Sequence, residues 1–414
     1  MNGNPSDSKP VLIVGAGMAG LACAVTLHRS GVPFVLFDRD EKVGGRVQTD
    51  EIDGYRLDRG FQVLLTAYPE ARKFLDYEKL ELRKCYPGSR VWYNDKFHQV
   101  SDPFRHPVDG LLSVFNPIGS FFDKVKVGML RLGLLSTRAM EDTLSTREAL
   151  AKLGYSEAMI DRFWKPFMRG VFLENELSTS VRKFEETFSL FAKGDTVLPR
   201  LGIAEIPKQM AKQLPDDSIF LSEEVEKLEG SSVLTTHGEQ WLGRAVVLAT
   251  EEPVANRILG IDGPNRAWNA VDCLYFSLPE KELPATSPIL HLDGSGMGPI
   301  NNLTFLSTLS DCAPPGRALA SASVIGKKEM GMDQVVELAN QQLRTWFGEN
   351  IKKWDFLRSY RISHAVPSCD VVPHLETKKN GVYRCGDYFG LPSIDSAMRS
   401  GRLVAESIIA SNQE

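Results

Sequence analysis

The sequence predicts an α/β fold in which a Rossmann-like βαβ unit is joined to a discontinuous α+β part made of antiparallel sheet and helices. Three observations predict it. A β-branched run, VLIV at 11–14, leads straight into Gly15-x-Gly17-x-x-Gly20. A helical pattern and a second apolar run, FVLF at 34–37, follow at once. Short β-like runs (VWYNDKFHQV, CLYFSL, NLTFLSTLS, ALASASVIG) fall in 84–100 and 268–366, on either side of a helical stretch over 107–193.

At 414 residues the chain has room for two or three domains, a large core and a bulky cofactor. With 43% hydrophobic and 24% charged residues it fits neither a disordered nor a multispanning chain. The net charge of -5, without a basic run interleaved with aromatics, excludes a nucleic-acid partner. The six cysteines are scattered with no C-x-x-C, and the seven histidines are equally dispersed. No metal site is expected, and the thiols read as the reduced cysteines of a cytoplasmic protein.

The uncharged run over 11–27 is not read as a signal peptide or anchor. Only Lys9 precedes it, it is short for a span, and it holds three glycines. Strand, turn and helix explain it better, with the helix stopping at Ser30-Gly31. In such a unit the backbone of Gly15, Ala16, Gly17, Met18, Ala19 and Gly20 can approach a pyrophosphate held at the helix N-terminus. Asp38, eighteen residues past Gly20, ends the second strand where a carboxylate would accept hydrogen bonds from ribose hydroxyls. The motif alone does not separate NAD from FAD.

Further residues decide the cofactor. V-G-G-R follows at 43–46, so that Gly44-Gly45 offers a second close backbone approach and Arg46 a cation. A dinucleotide with a second large head has use for both. Near the other end, 381–385 reads as a strand, Gly386-Asp387 as its exit, and 394–409 as a helix. Gly401 lies on that helix's apolar face, which suggests close packing.

These stretches, with DGYRLDRGFQV at 53–63, resemble the flavin-dependent amine oxidase superfamily, which includes phytoene-desaturase-like and protoporphyrinogen-oxidase-like enzymes. The resemblance implies FAD in a GR2-type site. It places Asp387 at the ribityl phosphate and the start of the last helix, Ile394, Asp395 and Ser396, at the pyrimidine end of the flavin. There the positive helix end would stabilise reduced flavin. It also puts Val225 beside the adenine and Arg39, Gly60, Phe61 and Gln62 among the cofactor contacts. The chain departs from the family at Asp395-Ser396-Ala397, where Glu-Gly-Ala is common. No linkage residue is assignable, so non-covalent FAD is expected.

The resulting division assigns 1–80, 199–262 and 375–414 to the FAD-binding domain, and 81–198 and 263–374 to the substrate domain. The apolar piece at 110–136 is broken by Asn116-Pro117 and Gly119 and carries Lys124, Lys126 and Arg131. It reads as a core helix pair, as the lining of an apolar entrance, or as a peripheral contact with a membrane surface.

An enzyme of this kind would pass a hydride from a substrate C–H to flavin N5 and the electrons on to oxygen or a quinone. An apolar, isoprenoid-like small molecule is the favoured substrate. At ~0.8 kcal/mol per buried CH₂, a five-carbon unit contributes on the order of 3–4 kcal/mol without any fixed charge. Amine or protoporphyrinogen oxidation is the alternative, with Tyr360, Tyr383 and Tyr388 as aromatic candidates and no lysine clearly placed, since Lys327-Lys328 reads as a solvated turn. Arg59, Gln62, His364 and Tyr388 are the candidate catalytic side chains. A non-catalytic prenyl binder, like the Rab GDP-dissociation inhibitors that resemble this fold, is a further alternative.

Overall fold

A computed structural model describes residues 9–113, 115–262, 266–284, 286–326, 329–371, 377–379 and 381–411. Lys327-Lys328 and the domain boundary at 375 lie outside the described residues.

Along the chain, strand β1 (Val11–Val14), helix α1 (Met18–Arg29) and strand β2 (Phe34–Phe37) come first. The hairpin β3 (Gly88–Tyr93) and β4 (Lys96–Ser101) leads into helices α2 (Pro107–Ser113), α3 (Phe121–Arg131), α4 (Lys165–Phe172) and α5 (Val181–Lys193). Strands β5 (Ile219–Phe220), β6 (Val225–Glu229) and β7 (Ala245–Leu248) follow. Then come β8 (Trp268–Pro279), β9 (Leu290–Asp293), β10 (Ile300–Phe305), β11 (Arg317–Ile325) and β12 (Asp355–Pro367). Strands β13 (Lys378–Lys379) and β14 (Val382–Arg384) and helix α6 (Ile394–Ala410) close the fold.

One sheet has the order β5-β2-β1-β7-β14-β13, parallel except for the last pair. Its strands come from three distant parts of the sequence. β1 is buried on both faces, which is why it reads as an unbroken apolar run rather than an alternating one. α1 is wedged between this sheet and α6, and glycines permit the fit. A Cβ on Gly20 would stand 1.9 Å from the Gly15 carbonyl oxygen, and one on Gly401 would stand 2.0 Å from that of Ala19. The close packing expected of Gly401 is therefore a backbone-to-helix contact.

The second large sheet runs β12-β8-β11-β10-β9-β3-β4 and is antiparallel except between β9 and β3. One face packs on the helix Met332–Phe347 through an aromatic cluster that includes Trp92, Phe276, Phe305, Trp346 and Trp354. The sheet is tied toward the nucleotide-type unit by Tyr275, whose hydroxyl donates to the Asp58 carbonyl at 2.6 Å.

The expected cap in TLSTREALAKLG is present: Ser145 accepts from the Glu148 amide, and the Glu148 carboxylate takes the Ser145 N–H in return. The 110–136 piece departs from a core helix pair. In α3 the buried residue is Asp123, while Phe121 and Phe122 are exposed. The helix is held by polar ties instead: Asp123 accepts from Ser120 and from both the amide and hydroxyl of Ser156. No helix among the described residues is long and apolar enough to cross a membrane.

Candidate active site

A cavity of about 1530 Å³ opens at the carboxyl ends of β1 and β2 and extends to the second sheet and the helices α2–α5. The carboxyl edge of a parallel sheet is where the connecting turns leave a crevice. Two glycine turns form its floor. Gly44 donates its N–H to the Ala16 carbonyl at 2.9 Å, joining the second turn to the first. Gly45 has φ +56°, and a Cβ there would lie 3.4 Å from the Gly17 Cα. A Cβ on Gly17 would meet nothing within 4 Å, so bare backbone faces the cavity. α1 starts at this point with no side-chain cap and no acid in its first turn, leaving its positive end unneutralised. These residues fit the phosphates of a dinucleotide.

Asp38 lines the cavity with both carboxylate oxygens engaged: Oδ2 accepts from the Ala16 amide at 2.6 Å and Oδ1 from that of Asp40 at 2.9 Å. Burial raises its pKa, and these two hydrogen bonds offset only part of the rise. Arg39 stands beside it, largely exposed.

Arg46 and Asp387 both line the cavity, yet each holds the other. Arg46 Nη2 donates to Asp387 Oδ1 at 2.7 Å, its Nη1 donates to the Ala365 carbonyl at 2.8 Å, and its guanidinium lies 5.3 Å from the Trp268 ring centre. Burial alone would lower the Arg46 pKa; the Asp387 pair reverses the sign. Glu251 is within 4.0 Å of Arg46 and 3.0 Å from His364 Nδ1, which joins His364 to this cluster.

Arg59 belongs to a second cluster. Its Nε and Nη2 donate to Asp50 at 3.1 and 3.0 Å, and the Tyr360 hydroxyl donates to the same carboxylate at 2.9 Å. Burial pushes the Asp50 pKa up, but the Arg59 and Tyr360 hydrogen bonds outweigh it and the net shift is downward. Gln62 bridges the two clusters by donating to the carbonyls of Arg46 and Arg59 at 2.9 and 3.1 Å.

Gly60, Phe61, Val225, Gly386 and Ile394 also line the cavity. Gly60 has φ +93°, where a side chain would be strained and would meet Ile362 at 2.9 Å. Tyr388 packs against Gly386. Its hydroxyl is buried with no hydrogen-bond partner among the described residues, and burial pushes its pKa far up.

Five candidates lie off the cavity wall. Ala16 and Gly20 form the turn behind it. Asp395 is a tether whose Oδ1 accepts from the Glu70 and Ala71 amides at 2.8 and 3.0 Å. The Ser396 amide donates to the capping Ser393 hydroxyl at 3.0 Å. Tyr383 is buried in β14 under the Lys378 ammonium.

Glu251, Asp50 and Trp268 were not singled out from sequence. Glu251 had a signal, since it stands three residues past the end of β7 on the functional edge of the sheet. The far end of the cavity is apolar and aromatic: Phe163 stacks on Phe167 at 5.6 Å, and Phe167 meets Phe191 at 5.5 Å. Among the described residues no group of three His, Cys, Asp or Glu side chains is placed to hold a metal ion.

A parallel sheet whose crevice joins two glycine turns and opens into an apolar chamber defines the class, a dinucleotide-binding protein with room for a second ligand. The chain belongs to the flavin-containing amine oxidoreductase family, whose model matches residues 18–409. It is similar to the phytoene dehydrogenase of Streptomyces griseus, 27% identical over 284 residues, which is 60% of this chain and 56% of that protein. It is also similar to the lycopene-forming phytoene desaturase of Pantoea ananas, 33% identical over 162 residues, which is 35% of this chain and 32% of that protein. The matched stretches thus span about half or less of those relatives. A solved putrescine oxidase bound to putrescine shares the fold, with a TM-score of 0.73 at 18% identity, over 97% of this chain and 99% of that one.

Proposed function

We propose that this flavoenzyme binds FAD non-covalently and oxidises an apolar, isoprenoid-like substrate by hydride transfer, passing the electrons on to oxygen or a quinone. The observation that carries the reading is the single cavity that runs from the bare glycine backbone to the phenylalanine-lined chamber. Bound FAD would supply the hydride acceptor. The chain's own residues do the rest. The backbone of Gly15, Gly17, Met18 and Ala19 and of Gly44-Gly45 receives the pyrophosphate, and Asp38 takes the ribose hydroxyls. Phe163, Phe167 and Phe191 exclude water and align the substrate by contact area rather than by charge.

Amine or protoporphyrinogen oxidation is the second reading, and the carboxylates of Asp50 and Glu251 in the lining favour it. Each already faces an arginine, Arg59 or Arg46, so neither offers unopposed negative charge to an ammonium group. The two lysines among the described lining residues, Lys124 and Lys183, belong to the helical wall, and Lys183 is paired with Glu186 at 2.9 Å.

The test is anaerobic reduction of the purified protein by a panel of polyenes, amines and porphyrinogens. Bleaching of the flavin band by polyenes supports the reading. Bleaching by an amine or a porphyrinogen alone replaces it with the second one. A protein that binds prenyl chains yet takes up no flavin would be a carrier rather than an enzyme.

A further inference from the structure

The chamber wall that the second sheet provides is not wholly apolar. Leu290 of β9 pairs with Ser89 of β3, and the neighbouring pair His291–Leu303 sets Thr304 of β10 on the other side of Leu290. Successive residues of a strand point to opposite faces. Leu303 and Phe305 enter the aromatic cluster on the helix-covered face, so Thr304 between them points the other way, into the cavity that it lines together with Ser89 and Leu290. Leu290 packs there in one cluster with Phe163 and Phe167, which places both hydroxyls in the phenylalanine-lined chamber.

Ser89 is 1% exposed and Thr304 is 3%, and neither hydroxyl has a hydrogen-bond partner among the described residues. Buried hydroxyls are nearly always paired, so two orphans on one wall need a reason. The polar side chain beside them is paired: Asn302 donates from Nδ2 to Ser323 Oγ at 3.3 Å and accepts at Oδ1 from Asn301 at 2.9 Å. Two strand spacings, about 10 Å, separate Ser89 from Thr304. The strip of wall formed by Ser89, Leu290, Leu292, Asn302, Thr304 and Ser323 carries no charge.

We infer that Thr304 and Ser89 form a hydrogen-bonding subsite for uncharged oxygen groups, hydroxyl or carbonyl, on an otherwise apolar substrate. A hydroxyl side chain both donates and accepts, so it takes either group. A pure hydrocarbon that fills the chamber excludes water and leaves both hydroxyls unpaired, whereas an oxygenated molecule pairs them. An ammonium or carboxylate group meets no opposite charge in the strip. The subsite names the substrate class more narrowly, as an oxygenated apolar molecule, and it rests on the reading that this chamber holds an apolar substrate.

The experiment is titration of the full chain with farnesene, farnesol and farnesal, three isoprenoids of one carbon skeleton, followed by tryptophan fluorescence; it needs no turnover. The comparison is with the double variant Thr304→Val/Ser89→Ala, in which valine keeps the shape of threonine and neither change breaks a hydrogen bond among the described residues. The ratio of farnesol to farnesene affinity should fall at least about tenfold in the double variant, with farnesal following farnesol, while the melting temperature does not drop. Thr304→Ser, which restores one hydroxyl, should keep the wild-type ratio. A ratio that is the same in wild type and double variant overturns the subsite and leaves the apolar-substrate reading standing. A double variant that melts well below the wild type shows the hydroxyls to be structural and also overturns the subsite. A wild type that binds none of the three compounds overturns both the subsite and the reading beneath it.

Discussion

Two glycines of one motif, three residues apart, should respond to alanine in opposite ways. Gly17 has φ -72°, which alanine adopts freely, and its added methyl would meet no atom within 4 Å. Gly17→Ala should change stability by less than about 1 kcal/mol, the small difference between chain-entropy gain and a poorer helix cap. The methyl would nevertheless stand where a phosphate must approach the backbone. Flavin affinity should fall at least tenfold, or about 1.4 kcal/mol. Gly20→Ala would put its methyl 1.9 Å from the Gly15 carbonyl oxygen, inside the turn and not in the cavity. Restoring ordinary contact there needs a shift of roughly 1.5 Å, and α1 is held on its other side by Gly401 of α6. Overpacking of this kind costs roughly 3 kcal/mol or more. The assay is thermal unfolding of each flavin-free variant beside a flavin titration. A Gly17→Ala protein with wild-type flavin affinity, or a Gly20→Ala protein with wild-type stability, would refute the division between cradle and packing.

Three other residues give sharp expectations. Asp58 is fully buried, accepting from the Thr49 hydroxyl at 2.6 Å and the Ile203 amide at 3.1 Å, and burial raises its pKa from 3.8 to about 6. The fold therefore favours the protonated form; this stabilisation is complete below pH 3.8 and is lost as pH rises through about 6. Relative to Asp58→Asn, the wild type should lose up to ~3 kcal/mol across that window, and urea unfolding at its two ends that shows a constant difference would contradict this. Asp395→Ala should leave the Glu70 and Ala71 amides unsatisfied and lower stability by about 2–4 kcal/mol, measured by denaturant unfolding. Asp38→Ala should weaken flavin retention while the chain stays folded; unchanged retention would remove Asp38 from the ribose site.

Much of the fold was legible because local signals agreed with tertiary demands. Val11–Val14 reads as a buried parallel strand and is one, and the spacing of Gly15, Gly17 and Gly20 requires the turn that the structure contains. The helix at 394–409 was visible from its apolar face because α6 has one side on the core. The site was only partly legible. Sequence shows that Arg46 and Asp387 are present, but not that residues 341 positions apart neutralise each other. Asp395 stands at the expected helix start, yet its carboxylate turns to two amides at 70 and 71, a choice made by packing. The 110–136 piece shows the reverse failure. Its hydrophobicity suggested burial, whereas α3 is held by Asp123 and leaves its phenylalanines outside.

A dinucleotide flavin seated on the Gly17 and Gly45 backbone is tested most directly by the flavin content of the purified full chain before and after acid precipitation. The expected result is a yellow protein that releases FAD, about one per chain, into the supernatant and leaves a colourless pellet. A colourless protein that takes up no FAD when it is added, or flavin that remains with the pellet, would contradict it.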